Sequence, residues 1–504
     1  MKRRYINYTA AFLIGVGALI SCKKSFLEND PKGQDLEVNY YSTPAQALAG
    51  LVSAYDPLVM ETGGLDNTYT NPLGPLNSAS DDCFAGGGSA SDMGTWQAVN
   101  DYNLLTPATG PQGGFWGSNF TGINRCNVIL EKIPTVPGLS DAEKARYIAE
   151  AKFLRGHYYF DLVRIFKNVP LLVTTVGVEN IYNQPQAKPA DVYAQIEADL
   201  KDAIKALPAT IPSTENGRAT LGAGKALLGK VYLYEKKYTD AATILAEVNG
   251  EPGGTSQYGY KLLSDFGAIF SPENKFNSEA IFEITHTGSQ KYTWDNWNQY
   301  KSNVYVNMIG ARSYSGPVYW GSGWGFNPVT TQLATALKGD PRYGYTVVNM
   351  DSLTKATNSR YDPSYQNTGY FIRKYAPLQK YKTAAGTAEL NFPNDYIEIR
   401  LADTYLMEAE ALVQGGGSAD RAGRLLNAVR SRVGLPGIAA SLDNIYNERR
   451  LELATEGHRW FDLVRTGRAP QVLAFKHFKA GVNEILPIPL KDLNNTKLVQ
   501  NPGY

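Results

Sequence analysis

Apolar side chains fall at Ile148, Ala151, Leu154, Tyr158, Leu162 and Ile165, in steps of three and four that place them on one helical face. Ser140 and Glu143 frame a capping box ahead of them, and Pro170 disfavours a helical residue before it, so a helix is predicted over 141–167. The same reading gives helices near 190–206, 219–235, 238–248, 397–413, 419–433 and 442–457, with Gly415, Gly416 and Gly417 joining those at 397–413 and 419–433. Between about 250 and 395 the period disappears. Gly, Asn, Ser, Tyr and Trp dominate there, with short β-type runs such as Ala280 to Ile284. The predicted fold is mostly α, a scaffold of tetratricopeptide-like helix pairs carrying a long loop-rich, partly β ligand-binding region.

Two repeats support that scaffold. The nine residues from Gly156 to Arg164 recur from Gly457 to Arg465, differing only at the two positions after the histidine, and both copies are expected on helices. Leu228, Gly229, Tyr232, Tyr238, Ala241 and Leu245 follow the tetratricopeptide spacing, in which Gly229 and Ala241 let two helices approach closely. Inside the repeated motif, Asp161 and Arg164 are helix neighbours, and His157 is expected as a hydrogen-bonded structural residue. Glu448, Glu452 and Glu456 line one stripe of the last predicted helix. Like charges at that spacing repel, so Arg449, Arg450, Arg459 and arginines from packed neighbours are expected to pair with them. A metal cluster on helices would add a Glu-x-x-His pairing, whereas Glu456 and His458 are two apart.

The loop-rich stretch holds four of the seven tryptophans, Trp294, Trp297, Trp320 and Trp324, beside Tyr292, Tyr300, Tyr305, Tyr314 and Tyr319. Aromatic rings crowded into Gly-rich loops mark a binding surface, because flat rings suit the C–H faces of sugars. About half of them are expected only to pack loops onto helices. An earlier Gly-rich segment repeats the theme with Asp82, Trp96 and Asn100, whereas Trp116 keeps helical spacing with Phe120 and Ile123 and is assigned to the core. The expected ligand set is therefore Asp82, Trp96, Asn100, Tyr292, Trp294, Trp297, Arg312, Trp320 and Trp324, with Asp82, Asn100 and Arg312 as hydroxyl partners.

At 504 residues and 43% hydrophobic content the chain has ample material for a large core. Lys2, Arg3 and Arg4 precede an apolar stretch, Ala10 to Ile20, too short to span a bilayer. Leu19, Ile20, Ser21 and Cys22 fit a bacterial lipobox, so residues 1–21 read as a signal peptide and Cys22 as the lipidated first residue, tethered by multiple acyl chains. Loss of that leader removes three bases and takes the formal charge from +1 to −2, and the chain has no basic patch of the kind a nucleic-acid binder needs. Cys83 and Cys126 remain, and an oxidising compartment permits a disulfide between them.

Together these features resemble the SusD/RagB family of outer-membrane nutrient-binding lipoproteins. The resemblance rests on the lipobox with Phe26, Leu27 and Pro31, then on Ala149 to Arg155, Arg400 to Ala411, and Asn427 to Arg430. The block Asn447 to Arg465, the run Leu486 to Pro489 and the ending Gln500 to Tyr504 complete it. It implies one SusD-like fold over 22–504, with helical parts at about 22–250 and 396–504 flanking a ligand region at about 250–395. It also implies a lipid-anchored protein at the outer membrane, facing the cell surface, that hands oligosaccharides to a TonB-dependent transporter of the SusC type. Some relatives take peptides instead, so a RagB-like peptide-binding subunit stays open as the alternative.

No cofactor is expected and enzyme signatures are thin. The four histidines are scattered with no H-E-x-x-H pair, no G-x-S-x-G elbow occurs, and Ser352 to Lys355 fits S-x-x-K without its companion motifs. A glycan binder predicts exposed tryptophans, a peptide binder a charged groove or open strand edge, and a hydrolase two convergent carboxylates with perturbed pKa values.

Overall fold

The computed structural model describes residues 40–59, 71–289, 291–295, 301–321, 323–383 and 385–504. The leader, Cys22, Trp297 and Tyr300 lie outside them. The scaffold is built from α1 Pro44–Val59, α2 Leu73–Ala79, α3 Gly94–Asn100, α4 Gln112–Lys132, α5 Asp141–Phe166, α6 Pro189–Ala203, α7 Leu221–Tyr234, α8 Tyr238–Asn249, α9 Leu401–Gln414, α10 Ala419–Arg432, α11 Leu442–Glu452 and α12 Arg459–Arg465. The stack runs α1 on α4, then α4 on α5, α5 on α6, α6 on α7, α7 on α8, α8 on α9 and α9 on α10. The two helical blocks therefore form one continuous scaffold.

Ser140 caps α5 with both hydrogen bonds of the capping box in place. A Cβ on Gly229 would sit 2.5 Å from Leu245 Cγ, so the absent side chain is what lets α7 and α8 touch. Ala241 on α8 is fully buried. Two boundaries move from the sequence expectation. The 397–413 segment begins as a strand and turns helical only at Leu401, and the last predicted helix stops at Glu452. Gly457 then adopts φ +79°, a conformation natural to glycine, so the second copy of the repeated motif starts in a turn and only its last seven residues are helical.

The loop-rich region is pinned at its two ends. Strand β1, Ala280–Ile284, pairs antiparallel with the strand Tyr396–Arg400, with Ala280 opposite Arg400 and Ile284 opposite Tyr396. Between them, β2 (Arg312–Ser315) pairs with β4 (Arg360–Asp362), and β3 (Val347–Asn349) pairs with β5 (Tyr370–Ile372), which makes the Tyr396–Arg400 strand β6. Single bridges from Cys83 to Val329 and from Gly86 to Phe326 stitch the segment after α2 onto this region.

That region buries more of its aromatics than its composition suggests. Tyr314, Tyr319, Met350 and Phe371 belong to a small core of their own, while Tyr292, Tyr305 and Phe326 join the main core. Cys83 and Cys126 are both buried free thiols, so the permitted disulfide does not form. Burial pushes the Cys126 thiol well above its ordinary value.

The charged stripe of α11 finds its partners on distant segments. Glu452 accepts from Arg400 at 2.6 Å, from Arg342 at 2.9 Å and from Arg432. Glu448 pairs with Arg342 and Arg430, and Glu456 with Lys374 and Arg400. Asp340 and Glu279 complete the network, giving five acids and five bases. The nearby arginines expected to serve these glutamates point elsewhere: Arg449 to Asp403 and Asp462, and Arg450 and Arg459 to Asp81.

Candidate functional site

The two copies of the repeated motif meet inside the scaffold. The Arg164 guanidinium lies 3.9 Å from the Phe461 ring centroid, and the Asp161–Arg164 pair is matched by Asp462–Arg465. Between the copies is a cavity of about 70 Å³, lined by His157, Asp161 and Arg164 from one and by Gly457, His458 and Phe461 from the other. His157 does not make the hydrogen bond expected of it. Its Nε2 stands 3.6 Å from Glu398, an ion-pair distance. Burial raises the Glu398 carboxyl, but His157, Lys230 and Arg164 outweigh it and hold it well below the usual range. Burial pushes His458 down to about 4 against the opposing pull of Asp403, so this imidazole is neutral at ordinary pH. These groups belong to the scaffold.

The predicted ligand residues divide sharply. Trp96 is fully buried on α3, edge-on to Phe326 at 5.2 Å, and its ring lies so close to α2 that a Cβ on Gly74 would fall 2.0 Å from it. Asn100 accepts from the Ala85 amide at 3.1 Å, and Asp82 accepts from Arg450 at 3.0 Å; both are buried. Tyr292 is buried as well, with its amide donating to Asn391. These four residues are therefore packing and pairing groups. Their Gly-rich sequence neighbourhood misled because Gly74, Phe326, Arg450 and Asn391, which hold or cover them, lie elsewhere in the chain.

Three predicted tryptophans and Arg312 do reach the surface. Trp294 is 49% exposed and stacks on half-buried Trp324, ring centroids 6.1 Å apart at an interplanar angle of 21°. Arg312 on β2 donates to the Trp324 carbonyl at 3.0 Å and lies beside Gly88, where a Cβ would stand 3.4 Å from Nη1. Asp92 accepts from the Gly88 amide at 2.7 Å and so shapes that loop.

Tyr365, 38% exposed, donates its amide to the Gly87 carbonyl at 2.8 Å and joins the loop after β4 to the same Gly-rich segment. The face so formed carries one broad exposed ring on a stack, a guanidinium and a carboxylate. That combination suits the apolar face of a sugar ring and the hydroxyls at its edge. Trp320 is half-buried, with the Lys382 ammonium 3.9 Å over its ring, so one face of that ring is already covered. Tyr365 carries no sequence signal beyond a polar, aromatic stretch and escapes sequence reasoning.

The acidic pair that a hydrolase would need also has a counterpart. Burial pushes Glu283 up to about 9, reinforced by the neighbouring Asp395, while Asp395 accepts from Lys275 and from the His286 amide. Both carboxylates are buried among their own partners and not on the Trp294 face.

Comparison with known proteins gives the same architecture. Residues 278–504 match the model described as the SusD family, and residues 59–233 match one described as starch-binding and associating with the outer membrane. A solved laminarin-binding SusD-like protein is 47% identical, covers 92% of this chain and 100% of its own, and superposes with a TM-score of 0.87. The chain belongs to the SusD family. Surface glycan-binding protein A from Bacteroides thetaiotaomicron, solved with laminarihexaose, is 28% identical over 91% of this chain and 99% of its own, with a TM-score of 0.83. SusD-like protein P38 from Formosa agariphila is 27% identical over the full length of both chains. The coarse role that goes with this SusD family is glycan binding in association with the outer membrane. Among the described residues no helix is long and apolar enough to cross a bilayer.

Proposed function

We propose that this protein captures β-1,3-linked glucans of the laminarin type on the Trp294–Trp324 face and delivers them to a TonB-dependent outer-membrane transporter of the SusC type. The observation that carries the reading is the 47% identity to a laminarin-binding SusD-like protein across 92% of the chain. The exposed, stacked Trp294 supports it, because a ring backed by a second ring loses little freedom when a sugar settles on it. A lipid anchor on Cys22 would hold the protein at the membrane, and the chain binds its glycan without cleaving it.

The test is a calorimetric titration of the full chain with laminarihexaose, cellohexaose, maltohexaose and a mixed oligopeptide pool, with chromatography of the sugars afterwards. Saturable binding of the β-1,3 hexamer in preference to the other two, with the sugar recovered intact, is expected. Binding of peptides but no glucan would overturn the reading in favour of a peptide-uptake subunit, and shortened sugars would overturn the non-catalytic assignment.

A further inference from the structure

A second groove opens on the loop-rich region, lined by none of the residues of the Trp294 face. It has a volume of about 460 Å³ and lies between the 265–274 segment and the 373–381 segment, with Asn394 among its lining residues. Tyr345 forms one side. Its ring is 46% exposed and rests on bare backbone, since a Cβ on Gly267 would come within 2.6 Å of it. Phe266 meets the same ring edge-on at 6.1 Å, which fixes its plane. Tyr381 forms another side, its hydroxyl 3.1 Å from Ser271 Oγ and its ring 4.3 Å from the Lys380 ammonium.

The charged groups around the groove already have partners. Lys380 pairs with Glu273 at 3.3 Å, Lys374 is taken up by Glu456, Arg373 donates to the Tyr319 hydroxyl, and Asp265 accepts from the Gly267 amide. That balance favours a neutral occupant over an anion. Asn394 supplies the independent sign of a ligand. It is 3% exposed, lines the groove, and its Oδ1 has no hydrogen-bond partner. An acceptor left so buried needs a donor, and a sugar hydroxyl provides one once the Asn394 amide turns toward the groove.

From this geometry we propose that the Tyr345–Tyr381 groove is a second saccharide subsite, taking a neutral hexosyl unit by ring stacking and by a hydroxyl donated to Asn394. The inference rests on the glucan-binding reading above. The two sites are joined through packed backbone. Pro377, between the groove-lining Ala376 and Leu378, comes within 2.7 Å of where a Cβ on Gly310 would stand. The Gly310 carbonyl in turn accepts at 2.8 Å from the amide of Gly325, next to Trp324. A long glucan that engages both sites gains affinity by effective concentration, whereas a short oligomer samples each independently.

The experiment titrates laminarin polysaccharide and laminarihexaose into wild type, Tyr345→Ala, Tyr381→Ala and Trp294→Ala, with melting curves alongside. Tyr345→Ala and Tyr381→Ala are expected to weaken polysaccharide binding by about tenfold or more, to leave the tighter hexaose site unchanged and to remove a second, weaker hexaose site. Tyr345 is exposed, so its variant should melt at nearly the wild-type temperature. Wild-type binding at a single site that both tyrosine variants leave untouched would overturn the second subsite and spare the primary one. Absence of glucan binding by wild type would overturn both readings. Loss of all hexaose binding in Tyr345→Ala at unchanged melting temperature would overturn the assignment of the primary site to Trp294.

Discussion

Replacing Glu452 by Gln tests whether the buried charge network on α11 is a balanced unit. The substitution preserves volume but removes one negative charge from a group that is fully buried and faces three guanidinium ions. Five acids and five bases balance in wild type, so the variant leaves one buried positive charge unanswered. Breaking such a pair by removing one partner costs about 3–5 kcal/mol. A chain of this size loses roughly 1 kcal/mol of stability per degree near its midpoint, so the melting temperature should fall by about 3–5 °C. Asp420→Asn provides the control, because its pair with Arg424 is exposed and such pairs contribute about 0–1 kcal/mol. Differential scanning calorimetry of both variants at neutral pH is the assay. A Glu452→Gln midpoint indistinguishable from that of wild type would refute the claim that the network must be complete.

Two further outcomes follow from contacts in the fold and a third from the leader. Gly229→Ala, which drives a Cβ to 2.5 Å from Leu245, should destabilise by about 1–3 kcal/mol, whereas Gly423→Ala in open space on α10 should be neutral or stabilising by up to about 1 kcal/mol; equal shifts in urea midpoints would argue against close α7–α8 packing. Glu283 holds its proton up to about pH 9 in the folded chain but releases it near its ordinary value when unfolded, so stability from this group is fully present at low pH. It is lost at up to about 1.4 kcal/mol per unit as pH rises between those two values, and Glu283→Gln, which lacks that dependence, should gain on wild type across the window; parallel melting curves would contradict the assignment. Cys22→Ser should move the protein from the membrane fraction to the soluble fraction without changing its melt, and unchanged membrane association would sink the lipid anchor.

The scaffold was legible in the sequence because helical periodicity and caps are local signals. Ser140 and Glu143, the stripe from Ile148 to Ile165, and the Gly229–Leu245 spacing each specify structure within a few turns. The α11 carboxylates announced a need for cations, but Arg342, Arg400 and Arg432 come from segments that only the fold brings near. The site was less legible for the same reason. Trp96 and Trp294 both follow polar stretches without helical or strand period, yet Gly74 and Phe326 close over the first while Trp324 merely backs the second. Exposure is a property of distant neighbours, and Tyr365 and Tyr345 show the converse case, rings left open by a fold their own flanking residues do not reveal.

The central claim is that glucan is bound on the exposed Trp294 stack, and paired affinity and melting measurements on Trp294→Ala and Trp96→Ala test it most directly. Trp294→Ala should weaken laminarihexaose binding by about tenfold or more, equivalent to about 1.4 kcal/mol, with little change in melting temperature. Trp96→Ala should do the reverse, because truncating a fully buried tryptophan costs about 3–5 kcal/mol while leaving the Trp294 face intact. A Trp294→Ala protein that binds laminarihexaose as tightly as wild type would contradict the account.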